Sequence, residues 1–150
     1  MGITIGLLNV RRSILIQAAP ERVWQEFESY DRIAAWFGRG HELHRFEPKL
    51  GGQVEMSIVI DAEQRRYGGP VVVFERHREV TFESNWYAPH AWPVPTFFTL
   101  RLRPLYDGTM VEIFHHGFER LGADAADSLQ GYEEGWDLKH LKALRGIVEQ

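Results

Sequence analysis

Residues 123–148 read ADAADSLQGYEEGWDLKHLKALRGIV, and this stretch decides the predicted fold. It contains no proline. Its large apolar residues recur at a step of roughly 100° per residue, which is the period of an α-helix. They form one stripe: Leu129, Tyr132, Trp136, Leu144 and Ile147. We therefore predict one long C-terminal helix, from about Ala123 to Val148, whose apolar face must cover another layer of structure.

That other layer is predicted to be an antiparallel sheet. Between His41 and Phe118, apolar and polar side chains alternate with the two-residue period of strands. The turn signals between these strands are Gly51-Gly52, Gly68-Gly69-Pro70, residues 77–79 and Asp107-Gly108. The predicted buried face carries Val54, Met56, Ile58, Ile60, Val80, Phe82, Phe98, Leu100, Leu102, Val111 and Ile113. The predicted solvent face carries Glu55, Ser57, Thr81, Glu83, Arg101, Arg103 and Glu112.

Upstream of the meander, the sequence predicts one strand and two short helices. The strand spans residues 11–16, which are rich in β-branched and apolar side chains. Pro20 suits the first turn of the first helix, and Asp31 is predicted to cap the second, which ends at Gly38 and Gly40. The aromatic residues of both helices are expected to serve packing: Trp24, Phe27, Trp36 and Phe37. The predicted fold class is α+β.

Composition sets limits on function. The 150 residues, 44% of them hydrophobic, predict a single domain over residues 1–150. The chain has 17 basic and 21 acidic residues and no basic stripe, so we expect no nucleic-acid partner. The absence of cysteine excludes disulfides and thiolate chemistry. The apolar start lacks a basic leading segment and is too short to span a bilayer, so we expect no membrane insertion and a cytoplasmic location.

Five strings, in order along the chain, resemble one protein family. They are AAPERVWQEFESYDRIAAWFG (18–38), FEPKLGGQVEM (46–56), REVTFESNW (78–86), TMVEIFHHGF (109–118) and GYEEGWDLKHLKALRGIVE (131–149). Together they are similar to the family named after the activator of the heat-shock protein 90 ATPase, within the START-like or SRPBCC superfamily. The resemblance covers nearly the whole chain.

The resemblance implies a helix-grip fold, in which a curved antiparallel sheet wraps around the long C-terminal helix. It also implies a deep apolar pocket between sheet and helix, where members of the superfamily hold lipids, polyketides or hormones. Members of the named family have scattered functions. The family name comes from a co-chaperone whose related domain is joined to a further domain, so the name is a poor guide to this chain.

Three polar residues are predicted to point toward this apolar space. At the helical step, Glu133 and His140 fall inside the apolar stripe. His115 continues the inward register of Val111 and Ile113, whereas His116 points outward because strand side chains alternate. Each residue has an ordinary structural alternative: Glu133 and His140 at the edges of the stripe, and His115 bonded to a backbone carbonyl.

Other chemistries find no support in the sequence. His41-Glu42-Leu43-His44 lacks the four-residue helical spacing of a zinc metalloprotease motif, and on a strand its histidines fall on opposite faces. No serine has a nucleophile-elbow context, and no glycine-rich phosphate loop opens a helix. We predict no metal, no cofactor and no assigned catalytic residue.

The leading hypothesis is binding of a small hydrophobic or aromatic molecule. The predicted ligand-binding residues are Phe82, Trp86, Trp92, Phe98, Leu100, Ile113, His115, Tyr132, Glu133, Trp136 and His140. One alternative is a cyclase, aromatase or dehydratase-like enzyme that uses His115 and Glu133 as an acid/base pair. The other is a chaperone-interacting protein like the co-chaperone. We favour binding over catalysis, and a homodimer is left open as the assembly.

Overall fold

The computed structural model describes residue 5 and residues 8–38, 41–135 and 138–150, with residues 124 and 133–135 described for the backbone only. Within that part of the chain, one antiparallel sheet has the strand order β1-β7-β6-β5-β4-β3-β2 and curves into a half-barrel. Its strands are β1 Asn9–Ile16, β2 Glu42–Phe46, β3 Gln53–Ile60, β4 Glu63–Glu75, β5 Glu79–Trp86, β6 Thr96–Leu105 and β7 Gly108–His116. The predicted α+β class and antiparallel meander are confirmed.

Two short helices follow β1, as predicted: α1, Pro20–Trp24, and α2, Tyr30–Phe37. The predicted cap of α2 is wrong. The Ser29 hydroxyl accepts a hydrogen bond from the Arg32 backbone N–H at 3.2 Å, so Ser29 is the N-cap residue. Asp31 lies in the first turn, where its carboxylate is favourable near the positive end of the helix dipole.

The predicted single C-terminal helix consists of two helices, α3, Ala125–Gly135, and α4, Lys139–Val148. Leu138, which precedes α4, has φ −91° and ψ 2°, outside the helical region. The apolar stripe of α4 packs against α2 and β1 and buries His140, Leu141, Leu144 and Val148. No helix in the described ranges is both long and apolar enough to cross a lipid bilayer.

Gly68-Gly69-Pro70 is not a turn, which corrects the prediction. These residues lie inside β4, and the chain reverses earlier, at Asp61 and Ala62, which both adopt positive φ. Close packing between neighbouring strands explains why glycine occupies these two positions. A Cβ atom on Gly68 would lie 2.0 Å from the Val54 carbonyl oxygen, and one on Gly69 would lie 2.4 Å from the Glu83 carbonyl oxygen. Both sites require glycine because neighbouring strands approach too closely for a side chain.

The concave face of the sheet carries the main core. Aromatic residues of the two short helices, and of the 3₁₀ turn Gln25–Phe27 between them, fill it. Trp24, Phe27, Trp36 and Phe37 are all buried there, as the packing interpretation expected. The Trp24 and Phe27 side chains stack with centroids 5.1 Å apart. These contacts dock both short helices onto the sheet and bring the end of α2 to the start of β2.

The convex face was predicted to face solvent, yet several of its polar residues are buried. Ser57, Thr81 and Glu112 are at most 2% exposed. Glu112 accepts from Arg11 at 2.7 Å and from Arg103 at 2.8 Å, so both of its oxygens are paired. The long arginine side chains lie over the carboxylate while their charged ends stay accessible to water.

Candidate ligand-binding site

Eight aromatic side chains form a closed circuit of contacts at one end of the concave face, which we call the aromatic belt. Its members, in order around the circuit, are Phe37, His41, Tyr67, Trp86, Trp92, Tyr132, His115 and Phe98. Consecutive centroids lie 4.4–6.3 Å apart, the range of favourable aromatic pairs. The last member contacts the first, since Phe98 and Phe37 are 5.4 Å apart.

Strand register produces half of the belt. Tyr67 pairs directly with Trp86 across β4 and β5, and Phe98 pairs with His115 across β6 and β7. Directly opposed residues in an antiparallel pair project from the same face, so each pair presents two aromatic groups side by side. The remaining members join these two pairs at either end. They come from the last residue of α2, the α2–β2 connection, the β5–β6 loop and α3.

The β5–β6 loop is fixed at Trp92 by one side chain. The Asn85 amide donates to the Trp92 carbonyl at 3.2 Å, and its oxygen accepts from the Trp92 backbone N–H at 2.8 Å. Trp92 then contacts Trp86 on one side and Tyr132 on the other. The β5–β6 loop therefore contributes a half-buried indole, held in place by Asn85, to the belt.

His115 is 2% exposed and packs against Phe118 and Tyr132. Its Nε2 lies 2.9 Å from the Thr96 hydroxyl, which itself donates to the Ser84 carbonyl at 2.9 Å. Because that hydroxyl has one proton, Nε2 must be the donor, and Nδ1 is the acceptor nitrogen. Burial lowers the pKa of His115 to about 3, with a smaller contribution from His116, so the imidazole is neutral near pH 7.

His116 lies on the opposite face from the belt, as the alternation predicted, but it is 1% exposed. Its Nε2 is 2.9 Å from Thr99, whose hydroxyl is 2.8 Å from that of Thr81. Thr81 donates to the buried Glu79 carboxylate at 2.9 Å. Since a carboxylate only accepts, each hydroxyl proton points toward Glu79 and His116 donates the first bond. This row of hydrogen bonds pairs four buried polar side chains of β5, β6 and β7: Glu79, Thr81, Thr99 and His116.

His41 and Tyr67 form the most polar part of the belt. The His41 Nε2 lies 2.7 Å from the Phe37 carbonyl oxygen, and its Nδ1 lies 2.5 Å from the Tyr67 hydroxyl. Burial lowers the pKa of His41, against the opposing effect of the bond to Phe37, and burial raises the pKa of Tyr67. Both side chains are therefore neutral near pH 7.

The predicted ligand-binding residues divide into three groups. Those in the belt or touching it are Trp86, Trp92, Phe98, His115, Tyr132, His140 through Phe37 and His41, and Phe82 through Phe98. Those that lie only within the main core are Leu100 and Ile113, each at most 1% exposed. Trp136 and the side chain of Glu133 lie outside the described residues.

Sequence reasoning missed three belt members, Phe37, His41 and Tyr67. Phe37 was assigned to packing alone, and His41 was considered only within a rejected zinc motif. Tyr67 is next to Gly68-Gly69, which the sequence predicts as a turn, but Tyr67 pairs with Trp86 in the interior of β4. Strand-like alternation across those glycines was the signal that could have revealed it.

The site is suited to binding apolar surface, with few polar atoms to orient a ligand. Across the described residues, no cluster of three or more histidine, aspartate or glutamate side chains is placed to hold a metal ion. His41 and His140 are neighbours, with centroids 5.4 Å apart. His44 instead contacts Ser57 at 2.6 Å, so the two histidines of the rejected zinc motif make separate contacts.

Comparison with solved structures finds the same fold in bacterial proteins. CV1439 from Chromobacterium violaceum is 22% identical, with a TM-score of 0.69 over 95% of this chain and 98% of that one. The Aha1 dimer from Colwellia psychrerythraea is 16% identical, with a TM-score of 0.60 over 95% and 97% of the two chains. DynU16, described as a putative protein in the dynemicin biosynthetic locus, is 17% identical, with a TM-score of 0.64 over 97% of this chain and 48% of its own.

At these identities the structures establish the fold alone, and no curated protein matches the chain. Sequence comparison is more specific. The model of the family described as "Activator of Hsp90 ATPase homolog 1-like protein" matches residues 17–149. Nearly all of the described residues, including every strand from β2 to β7 and the α-helices α1 to α4, lie within that match. The chain belongs to the family of activator of Hsp90 ATPase homolog 1-like proteins.

Proposed function

We propose that the protein binds a small, hydrophobic aromatic molecule within the aromatic belt. The observation that carries the proposal is the closed circuit of eight aromatic side chains, drawn from four strands, two helices and two connecting segments. Aromatic walls with a few fixed polar groups are typical of small-molecule sites.

Exposure of the belt members supports entry of a ligand from one side. Phe98 and His115 are at most 2% exposed, whereas Trp86, Trp92 and Tyr132 are half-buried. A planar ligand could therefore slide between half-buried indoles toward a fully buried floor. Removing its surface from water would stabilise the complex by roughly 25 cal/mol per Å² of apolar area, before the entropy cost of association.

A cyclase, aromatase or dehydratase-like activity is the less favoured proposal. It would use His115 as a base, but the pKa of this buried imidazole is lowered to about 3, which makes it a weak base near neutral pH. Thr96 also holds its Nε2 in a structural hydrogen bond. DynU16, which shares the fold, is described as a putative protein in a biosynthetic locus. That description is compatible with an enzymatic role but names no reaction.

The test is a binding titration with naphthalene as the probe, followed by quenching of tryptophan fluorescence and by equilibrium dialysis. We expect saturable 1:1 binding to the wild-type protein. Trp86→Ala removes a half-buried wall of the belt and should weaken binding at least about tenfold, as expected for loss of an aromatic anchor in a small site.

Tyr106→Ala is the matched control, because Tyr106 is 92% exposed at the β6–β7 turn. It removes an aromatic side chain remote from the belt and should leave naphthalene affinity unchanged. Failure of naphthalene to saturate the wild-type protein, or equal weakening by both substitutions, would overturn the proposed function.

A further inference from the structure

The hydrogen-bond directions at His41 and Tyr67 are fixed by the Phe37 carbonyl. A carbonyl oxygen only accepts, so the proton of the neutral His41 imidazole resides on Nε2, 2.7 Å away. The Nδ1 atom is then an acceptor. It lies 2.5 Å from the Tyr67 oxygen, and the only available proton between them is the phenolic one. Tyr67 therefore donates its hydroxyl proton to His41.

In this arrangement the Tyr67 hydroxyl can accept a hydrogen bond from a ligand but cannot donate one. Its single proton is committed to His41, and burial keeps the phenol from ionising because its pKa is raised. Its oxygen retains lone pairs that can accept a further hydrogen bond. Among the described residues, His41 is the hydrogen-bond partner that the structure gives this oxygen. A ligand atom that reaches the Tyr67 oxygen must bring its own proton.

The position of Tyr67 in the belt puts this acceptor where an aromatic ligand would lie. The Tyr67 side chain is 8% exposed and lies between His41, stacked with centroids 6.1 Å apart, and Trp86, at 5.0 Å. Neither neighbour carries a formal charge near neutral pH. A carboxylate at this point would face the lone pairs of the Tyr67 oxygen, because the Tyr67 proton is already donated to His41.

We propose that the aromatic belt selects ligands bearing a hydrogen-bond donor, a phenolic or other hydroxyl group, which donates to the Tyr67 oxygen. Aromatic ligands with an ether, aldehyde or carboxylate at the same position are disfavoured. This inference rests on the proposed function and specifies its ligand class. Tyr67 acts as the recognition atom, and His41 is the positioning residue that orients the Tyr67 proton.

The experiment compares four probes that share the naphthalene ring system and differ in one substituent: naphthalene, 2-naphthol, 2-methoxynaphthalene and 2-naphthaldehyde. Wild-type protein should bind 2-naphthol about fivefold to tenfold more tightly than 2-methoxynaphthalene or 2-naphthaldehyde, the gain typical of one additional hydrogen bond. Naphthalene separates the two proposals. If naphthalene binds but the protein does not bind 2-naphthol more tightly than 2-methoxynaphthalene, the proposed selection for hydrogen-bond donors is overturned. The proposed function would then still hold. If naphthalene does not bind, the proposed function itself fails.

Two substitutions sharpen the comparison. Tyr67→Phe removes the acceptor and should reduce the ratio of the 2-naphthol affinity to the 2-methoxynaphthalene affinity to about one. His41→Phe removes the acceptor of the Tyr67 proton, so the Tyr67 hydroxyl can donate to a ligand. The affinity for 2-naphthaldehyde should then rise until it about equals the affinity for 2-naphthol. An unchanged preference in either folded variant would contradict the proposal.

A measurement on the wild-type protein does not depend on either variant folding. Long-range ¹H–¹⁵N NMR spectra distinguish the two neutral tautomers of histidine. We expect His41 to carry its proton on Nε2. A proton on Nδ1 would make Tyr67 a potential donor to ligand and would overturn the proposal.

Discussion

At the scale of single residues, two adjacent histidines are held neutral by different surroundings. His115 is enclosed by aromatic side chains on the concave face, and His116 is enclosed on the convex face. Burial lowers the pKa of His116 to about 4, where Arg101 adds to the effect and Glu119 opposes it. Alternation along β7 predicted their opposite directions. It could not predict that both would be buried, because that depends on the residues that β6 and α3 bring against them.

These pKa values predict loss of stability in acid. Between pH 6.5 and about 3 to 4, the unfolded chain binds protons at both histidines that the folded chain does not bind. Stability should therefore fall as the pH is lowered through this window. From pH 7 to pH 5 we expect a loss of about 1–2 kcal/mol per histidine in urea unfolding. The double substitution His115→Gln with His116→Gln should flatten this dependence, and an equally steep dependence in that variant would contradict the assignment.

The row of hydrogen bonds from His116 to Glu79 gives a second residue-scale prediction. Thr99 is 0% exposed and both donates to Thr81 and accepts from His116. Thr99→Val keeps the shape but removes both bonds, and should lower the free energy of unfolding by about 1–3 kcal/mol. Thr99→Ser retains the hydroxyl and serves as the control for the hydrogen bonds. Equal stability of the valine variant and the wild type would show that the row contributes nothing.

At the scale of elements, the sequence predicts strands and helices well where the hydrophobic period is uninterrupted. The prediction fails where one residue type serves two structural roles. The resemblance and the alternation together gave the meander and the short helices that the structure confirms. The glycines of β4 were misassigned because glycine is required both in turns and at close backbone contacts. The predicted C-terminal helix has a consistent stripe, but periodicity alone did not reveal the non-helical backbone at Leu138.

The same substitution, glycine to alanine, at two positions tests whether close backbone contact is what requires glycine in β4. Gly69→Ala places a Cβ 2.4 Å from the Glu83 carbonyl oxygen and should destabilise the protein by about 2 kcal/mol or more, because backbone atoms must move. Gly146→Ala, in α4, meets nothing within 4 Å and should stabilise it by up to about 1 kcal/mol through helix propensity. Thermal unfolding of both variants measures the contrast. A neutral Gly69→Ala would mean that the strands do not approach as closely as described.

At the scale of the whole molecule, the aromatic belt brings together residues that the sequence analysis selects and residues that it does not. The sequence analysis selects Trp86, Trp92, Phe98, His115 and Tyr132 as ligand-binding residues, and all five lie in the belt. It could not select Tyr67 and His41, because their partnership depends on β4 and the end of α2 meeting in space. A cytoplasmic location, a homodimer and a single domain over residues 1–150 stay predictions.

The central claim is that the aromatic belt holds a planar aromatic molecule. The most direct measurement is NMR spectroscopy of the protein saturated with 2-naphthol, with intermolecular nuclear Overhauser contacts assigned to individual side chains. We predict contacts from the ligand to Trp86, Trp92 and Tyr132, with the ligand hydroxyl nearest Tyr67, and upfield ligand shifts caused by the surrounding aromatic groups. Contacts confined to exposed residues such as Tyr106, or no contacts at saturating probe, would contradict the account.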